Sequence, residues 1–331
     1  MYEIKDLERY YVKHLYYNSY GNKNPERYLY NLFEDAPSKY TKLIIKSTID
    51  KKFNFVNCGP TGGRCGDYRI EFCLRKNLNK RTAFHEFGHL LDFKGVEKVE
   101  TGKASRRYFV TKSIDHSKTM VLSNGLTFKE TCLKELKLKN IEIYSYLFDV
   151  YKSITLKFAN QDDKDFIETY LNTLNRKNII YNRIGSNKYY KLRRDFDKSL
   201  VELAGFNDVS EAKDFFSQLK SMNDGDNICR WYKIRHSIRQ VDEMKEFLDI
   251  NDIILDVIGY KYEVVPLWPA HTLGYYQNGS MCLEFFADTF ASLMLNKQKA
   301  LDSINRFLPK SYNAFCELLD KIYDKTMMVC S

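Results

Sequence analysis

Apolar and polar positions along this 331-residue chain change period several times, and the changes divide it into elements. Over residues 4–34, Leu7, Tyr11 and Leu15, then Leu29, Leu32 and Phe33, recur at helical spacing, with the turn-rich SYGNKNPE between them. KLIIKSTIDKKFNFVNC follows, rich in β-branched and aromatic residues, and leads into the turn GPTGG. CGDYRIEFC then alternates strictly, with Tyr68, Ile70 and Phe72 on one face and Asp67, Arg69 and Glu71 on the other. That alternation predicts a half-exposed strand over 65–72, at the edge of a sheet.

The period then lengthens. RTAFHEFGHLLD, residues 81–92, carries an apolar stripe of Phe84, Phe87 and Leu91, with Asn79 as N-cap and Gly95 as stop. From about 125 to 250 the pattern is helical and polar, without a chemical motif. A last unit begins at FLDINDIILDVIGYKYEVVPLWPAHTLGYYQNG and runs into the helix SMCLEFFADTFASLML, and Pro309 introduces a final helix, LPKSYNAFCELLDKIYD.

Composition narrows the class. No apolar run approaches the roughly 20 residues a membrane span needs, and the first twenty residues show no secretory leader pattern. The sequence is equally compatible with a cytoplasmic protein, a virion-associated one or one delivered to a target cell. A net charge of +9 could favour anionic partners, but basic and acidic residues interleave; even KYYKLRRDFDK, 188–198, carries two aspartates, so nucleic acid is not the expected partner. The cysteines, among them Cys58, Cys65 and Cys73, form no CxxC pair and are expected as reduced thiols. GPTGG lacks the Lys-Ser/Thr of a phosphate loop.

One constellation carries chemistry. His85 and His89 are four apart on a helix, so they lie one above the other and can hold one metal ion, while Glu86 points beside it. Zinc hydrolases need this set: two neutral imidazoles, a water activated by the ion and a carboxylate to take its proton. With six histidines in the chain, random order yields HExxH on the order of 0.01 times or less. His14, His116 and His236 stand isolated among charged residues and read as surface histidines. Asp92 supports the metal ligands or simply belongs to the helix.

A third ligand is required. Position 95 is glycine, which excludes a third histidine six residues after His89. The downstream LEFFADTFASLM offers Glu284 and, one turn on, Asp288. Glu284 is the expected ligand; Asp288 is expected to accept the free ring N–H of a ligand histidine, His85, as carboxylates behind metal-bound imidazoles do.

HEFGHLLD with EFFADTF and PKSYNAF resembles the gluzincin-type zinc metallopeptidases related to the catalytic domain of anthrax toxin lethal factor. The resemblance implies zinc as cofactor, His85, His89 and Glu284 as ligands and Glu86 as general base. IILDVIGYKY with HTLGYYQ and EFFADTF is similar to metallopeptidase-like domains found with phage minor capsid proteins. Together the likenesses span about residues 40–100 and 250–325. The first family places an oxyanion-stabilising tyrosine seven residues before the ligand glutamate; here position 277 is glutamine, leaving Tyr276, Tyr275 or His271 for that role, with Tyr276 favoured.

These readings give an α+β, zincin-like fold, mostly helical with a small sheet beside the HExxH helix. Residues 1–40 form an N-terminal helical segment, 41–115 the first part of the catalytic domain, 116–248 a helical insertion or cap, and 249–331 the second part. The expected function is a zinc endopeptidase acting on a protein or peptide. The strand before the HExxH helix would receive the extended substrate. The alternatives are a phage or mobile-element assembly protein that keeps a zinc-binding fold with little cleavage, and a basic binding protein.

Overall fold

A computed structural model describes residues 19–20, 32–48, 52–56, 63–65, 69–73, 80–94, 110–112, 114–117, 119–258 and 281–328. The described chain is predominantly helical. Most of the expected N-terminal helix lies outside these residues, as do Asn79, Gly95, residues 59–62 of the GPTGG turn, His14, Cys58, His271, Tyr275 and Tyr276.

The chain forms two compact units. The first comprises Met1–Lys139, Asp252–Ile258 and His271–Ser331; the second comprises Asn140–Asn251 and Gly259–Ala270.

In the first unit, backbone pairing joins β1 (Ser19–Tyr20), β2 (Lys52–Val56), β3 (Gly63–Cys65) and β4 (Arg69–Cys73) in the order β1-β2-β4-β3. The β1–β2 and β2–β4 pairs are parallel, and β3 runs antiparallel to β4 with Cys65 opposite Ile70. The expectation of one edge strand over 65–72 is therefore corrected. The alternating stretch is divided between two paired strands, and β4 has a neighbour on each side. Alternation reports which faces are polar; it cannot count hydrogen-bonded neighbours, and Gly66-Asp67 are turn-forming residues in its middle.

The helices of this unit are α1 (Ser38–Thr48), α2 (Lys80–Lys94), α10 (Met281–Met294), α11 (Gln298–Phe307) and α12 (Pro309–Met328), with the start of α3 (Phe128–Phe158). Helix α2 packs against β3 and, most extensively, against α10. Its predicted stripe is inside: Phe84, Phe87 and Leu91 are buried, and Phe33 meets Phe84 edge-on at 5.9 Å. Helix α10 is enclosed almost all round. Phe285 stacks on Phe128 at 6.2 Å, Phe286 meets Phe128 and Phe315, and Phe290 meets Tyr40. Each fully buried phenylalanine contributes about 1.5–3 kcal/mol, so this aromatic cluster is a substantial source of the unit's stability. At the N-terminus of α12, buried Glu135 accepts from Lys310 N (3.1 Å), Ser311 N (2.7 Å) and Ser311 Oγ (2.7 Å), satisfying the end of a helix that Pro309 begins.

The second unit contains the rest of α3, with α4 (Lys164–Ile184), α5 (Ser186–Asp195), α6 (Lys198–Ala204), α7 (Val209–Met222), α8 (Gly225–Ile238) and most of α9 (Asp242–Ile258). Asp197, Asp208 and Asp224 cap α6, α7 and α8, each accepting from a backbone N–H of the first turn. Gly205, at φ 86°, ends α6 in the left-handed conformation that a side chain would strain. Its core joins Leu192, Val201, Phe206, Phe215 and Phe216, and Trp231 stacks on Tyr170 at 4.7 Å.

Candidate metal centre

The site is made by two helices of the first unit. On α2, Arg81, His85 and His89 follow one another at intervals of four and share a face; on α10, Glu284 and Asp288 do the same. The helices run antiparallel, because Arg81 and His85 meet Asp288 whereas His89 meets Glu284. Each four-residue step along one helix is thus answered by a step back along the other.

What lets the helices come this close is Gly88. A Cβ built there would lie 2.7 Å from Ala287 Cα, inside the backbone of α10. A small residue on each side brings the two histidines within a side chain's length of the carboxylates.

The resulting geometry suits a metal ion. One donor atom each from His85, His89 and Glu284 lies within 4.8 Å of the others. Glu284 Oε2 is 3.2 Å from His85 Nε2 and 3.6 Å from His89 Nε2. Tetrahedral zinc with bonds of about 2.0–2.1 Å separates its ligands by roughly 3.3 Å, a spacing with which these distances are compatible. The imidazole rings stand edge to face, with centroids 4.5 Å apart. The two histidines and the glutamate, which is 1% exposed, form a triad able to hold a metal ion.

Behind the triad, His85 Nδ1 lies 2.8 Å from Asp288 Oδ1, which leaves Nε2 facing Glu284. Burial disfavours a charged His85, yet the Asp288 and Glu284 carboxylates outweigh it and hold the imidazole well above its ordinary pKa. The pocket thus attracts positive charge, whether as a proton or a metal. Glu86, next to His85 on α2, is buried as well. Of the buried carboxylates here, Asp288 also lies 3.5 Å from the guanidinium of Arg81.

Asp92 is fully buried one turn beyond His89 and accepts from the backbone N–H (3.0 Å) and hydroxyl of Thr111, in a short 3-10 turn, Val110–Lys112, that packs on α2 and α10. Burial pushes the Asp92 carboxyl up to about 6, against the Thr111 hydrogen bonds, which favour the ionised form.

The structure therefore brings together His85, His89, Glu284 and Asp288, with Glu86 beside them on α2. Tyr276, Tyr275 and His271 belong to the segment that is not described. His116 is exposed beside Glu130, at 3.0 Å, and His236 is exposed. Cys132, Cys229, Cys282 and Cys316 are free thiols.

Three residues of the site went unread in the sequence. Arg81 was detectable, since it precedes His85 by one helical turn. Gly88 was a weaker signal, a helix-destabilising residue in mid-helix that implies close packing. Thr111 gave none, because its partner lies in another element.

No protein-family profile, curated protein or solved structure matches this chain.

Proposed function

We propose that this chain is a zinc-dependent endopeptidase of the gluzincin type on a zincin-like α+β fold, with His85, His89 and Glu284 as the zinc ligands. The observation that carries the reading is the convergence of an HExxH helix and a distant glutamate at ligand–ligand spacing. Two imidazoles and one carboxylate are the donor set of hydrolytic zinc, which keeps a coordination position open.

Zinc held there would supply Lewis acidity, lowering the pKa of a water and polarising the scissile carbonyl. Glu86 takes the proton of the attacking water and returns it to the leaving amine. Asp288 keeps the His85 proton on Nδ1, so that Nε2 offers its lone pair inward. Tyr276, or else Tyr275 or His271, donates to the developing oxyanion. The substrate is an extended peptide that adds to the outer side of β3, the end strand of the sheet order among the described residues and the one packed on α2.

The rival reading is an assembly protein of phage type with a structural zinc. A structural site has no use for the Glu86 base, and one comparison separates the two. Zinc content and cleavage of a peptide library are measured for wild type, Glu284→Ala and Glu86→Gln. The peptidase reading expects about one zinc per chain, lost in Glu284→Ala and kept in Glu86→Gln, with cleavage abolished in both. Zinc without cleavage in wild type favours the assembly role, and no zinc after reconstitution overturns both.

A further inference from the structure

Arg81 has no place in the reaction above, yet its guanidinium lies 3.5 Å from Asp288 Oδ1, the same oxygen that meets His85 Nδ1 at 2.8 Å. The arginine, the aspartate and the histidine thus form a chain that ends at the metal triad.

The setting makes the arginine consequential. Asp288 is 6% exposed on a helix whose neighbouring Phe285, Ala287 and Phe290 are fully buried, so its carboxylate has given up most of its water. A desolvated carboxylate needs both hydrogen bonds and compensating charge. An imidazole bound to a metal is neutral. It donates one N–H to Asp288, and the charge of the bound ion is shared with Glu284, so a further cation beside Asp288 adds compensation. Arg81 is a permanent cation with an ion pair to Asp288. With its side chain 20% exposed, it reaches the aspartate from the outer end of the shared helical face.

We infer that Arg81 is a positioning residue of the metal centre: it anchors the Asp288 carboxylate and offsets its charge, and through Asp288 it fixes the ring of His85 with Nε2 turned toward Glu284 and His89. The inference rests on the reading of the triad as a zinc site. Arg81 is not one of the three donors of the triad, and its ion pair is with Asp288, so its effect is on metal affinity and is transmitted by Asp288.

That dependence separates the role from simple fastening of two helices. Zinc affinity is measured by competition with a chelator, with folding followed by circular dichroism, for wild type, Arg81→Met, Arg81→Lys, Asp288→Asn and the double variant Arg81→Met/Asp288→Asn. Removing a partner behind a metal ligand lowers affinity about 10–100-fold, and that loss is expected for Arg81→Met and for Asp288→Asn. Arg81→Lys, which keeps the charge, recovers most of it. In the double variant the arginine has nothing left to act through, and its affinity falls within about threefold of Asp288→Asn alone.

A folded Arg81→Met that binds zinc as tightly as wild type overturns the inference and leaves the triad standing. Losses that multiply in the double variant overturn it too, because the arginine then acts independently of Asp288. If Arg81→Met does not fold, Arg81→Gln, which also removes the charge, is compared in the same way. Wild type that takes up no zinc overturns the metal site and this inference together.

Discussion

The two units bury different kinds of residue. In the first, Glu86, His89, Asp92, Glu135, Glu284 and Asp288 all lie inside; in the second, the buried polar residues among those described are the neutral Thr155, Thr173, Asn178 and Asn251. Both cores are aromatic and helical, so the contrast is not one of fold material. A buried carboxylate is costly unless hydrogen bonds or cations compensate it. Glu135 is compensated by a helix end and Asp92 by Thr111, and both roles are structural. Of the remaining carboxylates, Glu284 and Asp288 lie against the histidines of the triad able to hold a metal ion. In the second unit, by contrast, a neutral network is formed where Tyr144 Oη donates to Asn175 at 2.9 Å and accepts from Asn178 at 3.0 Å. Among the described residues, burial of charged side chains thus distinguishes the first unit from the second.

The sharpest test of the contrast is pH. With its carboxyl held near 6 in the folded chain against an ordinary value of 3.8, Asp92 binds its proton more tightly folded than unfolded. Its protonated form therefore favours folding, and that contribution, about 3 kcal/mol, is present below pH 4 and lost as pH rises through 6. Asp92→Asn keeps an acceptor for the Thr111 N–H and removes the titration. Denaturant unfolding from pH 4 to 7 should show wild type losing stability relative to Asp92→Asn; a constant difference between them would refute the buried-carboxylate account.

Packing is the next lever. Gly88→Ala drives a methyl into the Ala287 backbone and is expected to destabilise the chain by about 1–3 kcal/mol. It should also weaken zinc binding, since the same approach of α2 and α10 sets the ligand spacing. A thermal melt and a chelator titration check the two effects, and a stable variant with unchanged affinity would show that the helices reach their spacing without Gly88.

The smallest effect is expected in the second unit. Asp208→Ala removes the cap on α7, where the carboxylate accepts from Glu211 N at 2.8 Å, and should cost about 1 kcal/mol. Zinc content should not change. A loss of zinc in that variant would break the division of labour between the units.

Sequence alone determined the pieces of the site and the spacing within each. His85 with His89, and Glu284 with Asp288, share faces because 3.6 residues per turn is fixed by backbone geometry, whatever the surroundings. The stripe of Phe84, Phe87 and Leu91 was legible for the same reason, and its burial follows from the hydrophobic effect. Tertiary structure decided everything that depends on a partner. It set α10 antiparallel to α2, joined His85 to Asp288 across 203 residues of sequence, and added Arg81 and Thr111 to the buried carboxylates. It also split the alternating stretch before α2 between β3 and β4. No local period encodes which elements meet. That choice comes from packing, here from a glycine and an alanine small enough to let two helices touch and from an aromatic core that closes around the charges they bring together.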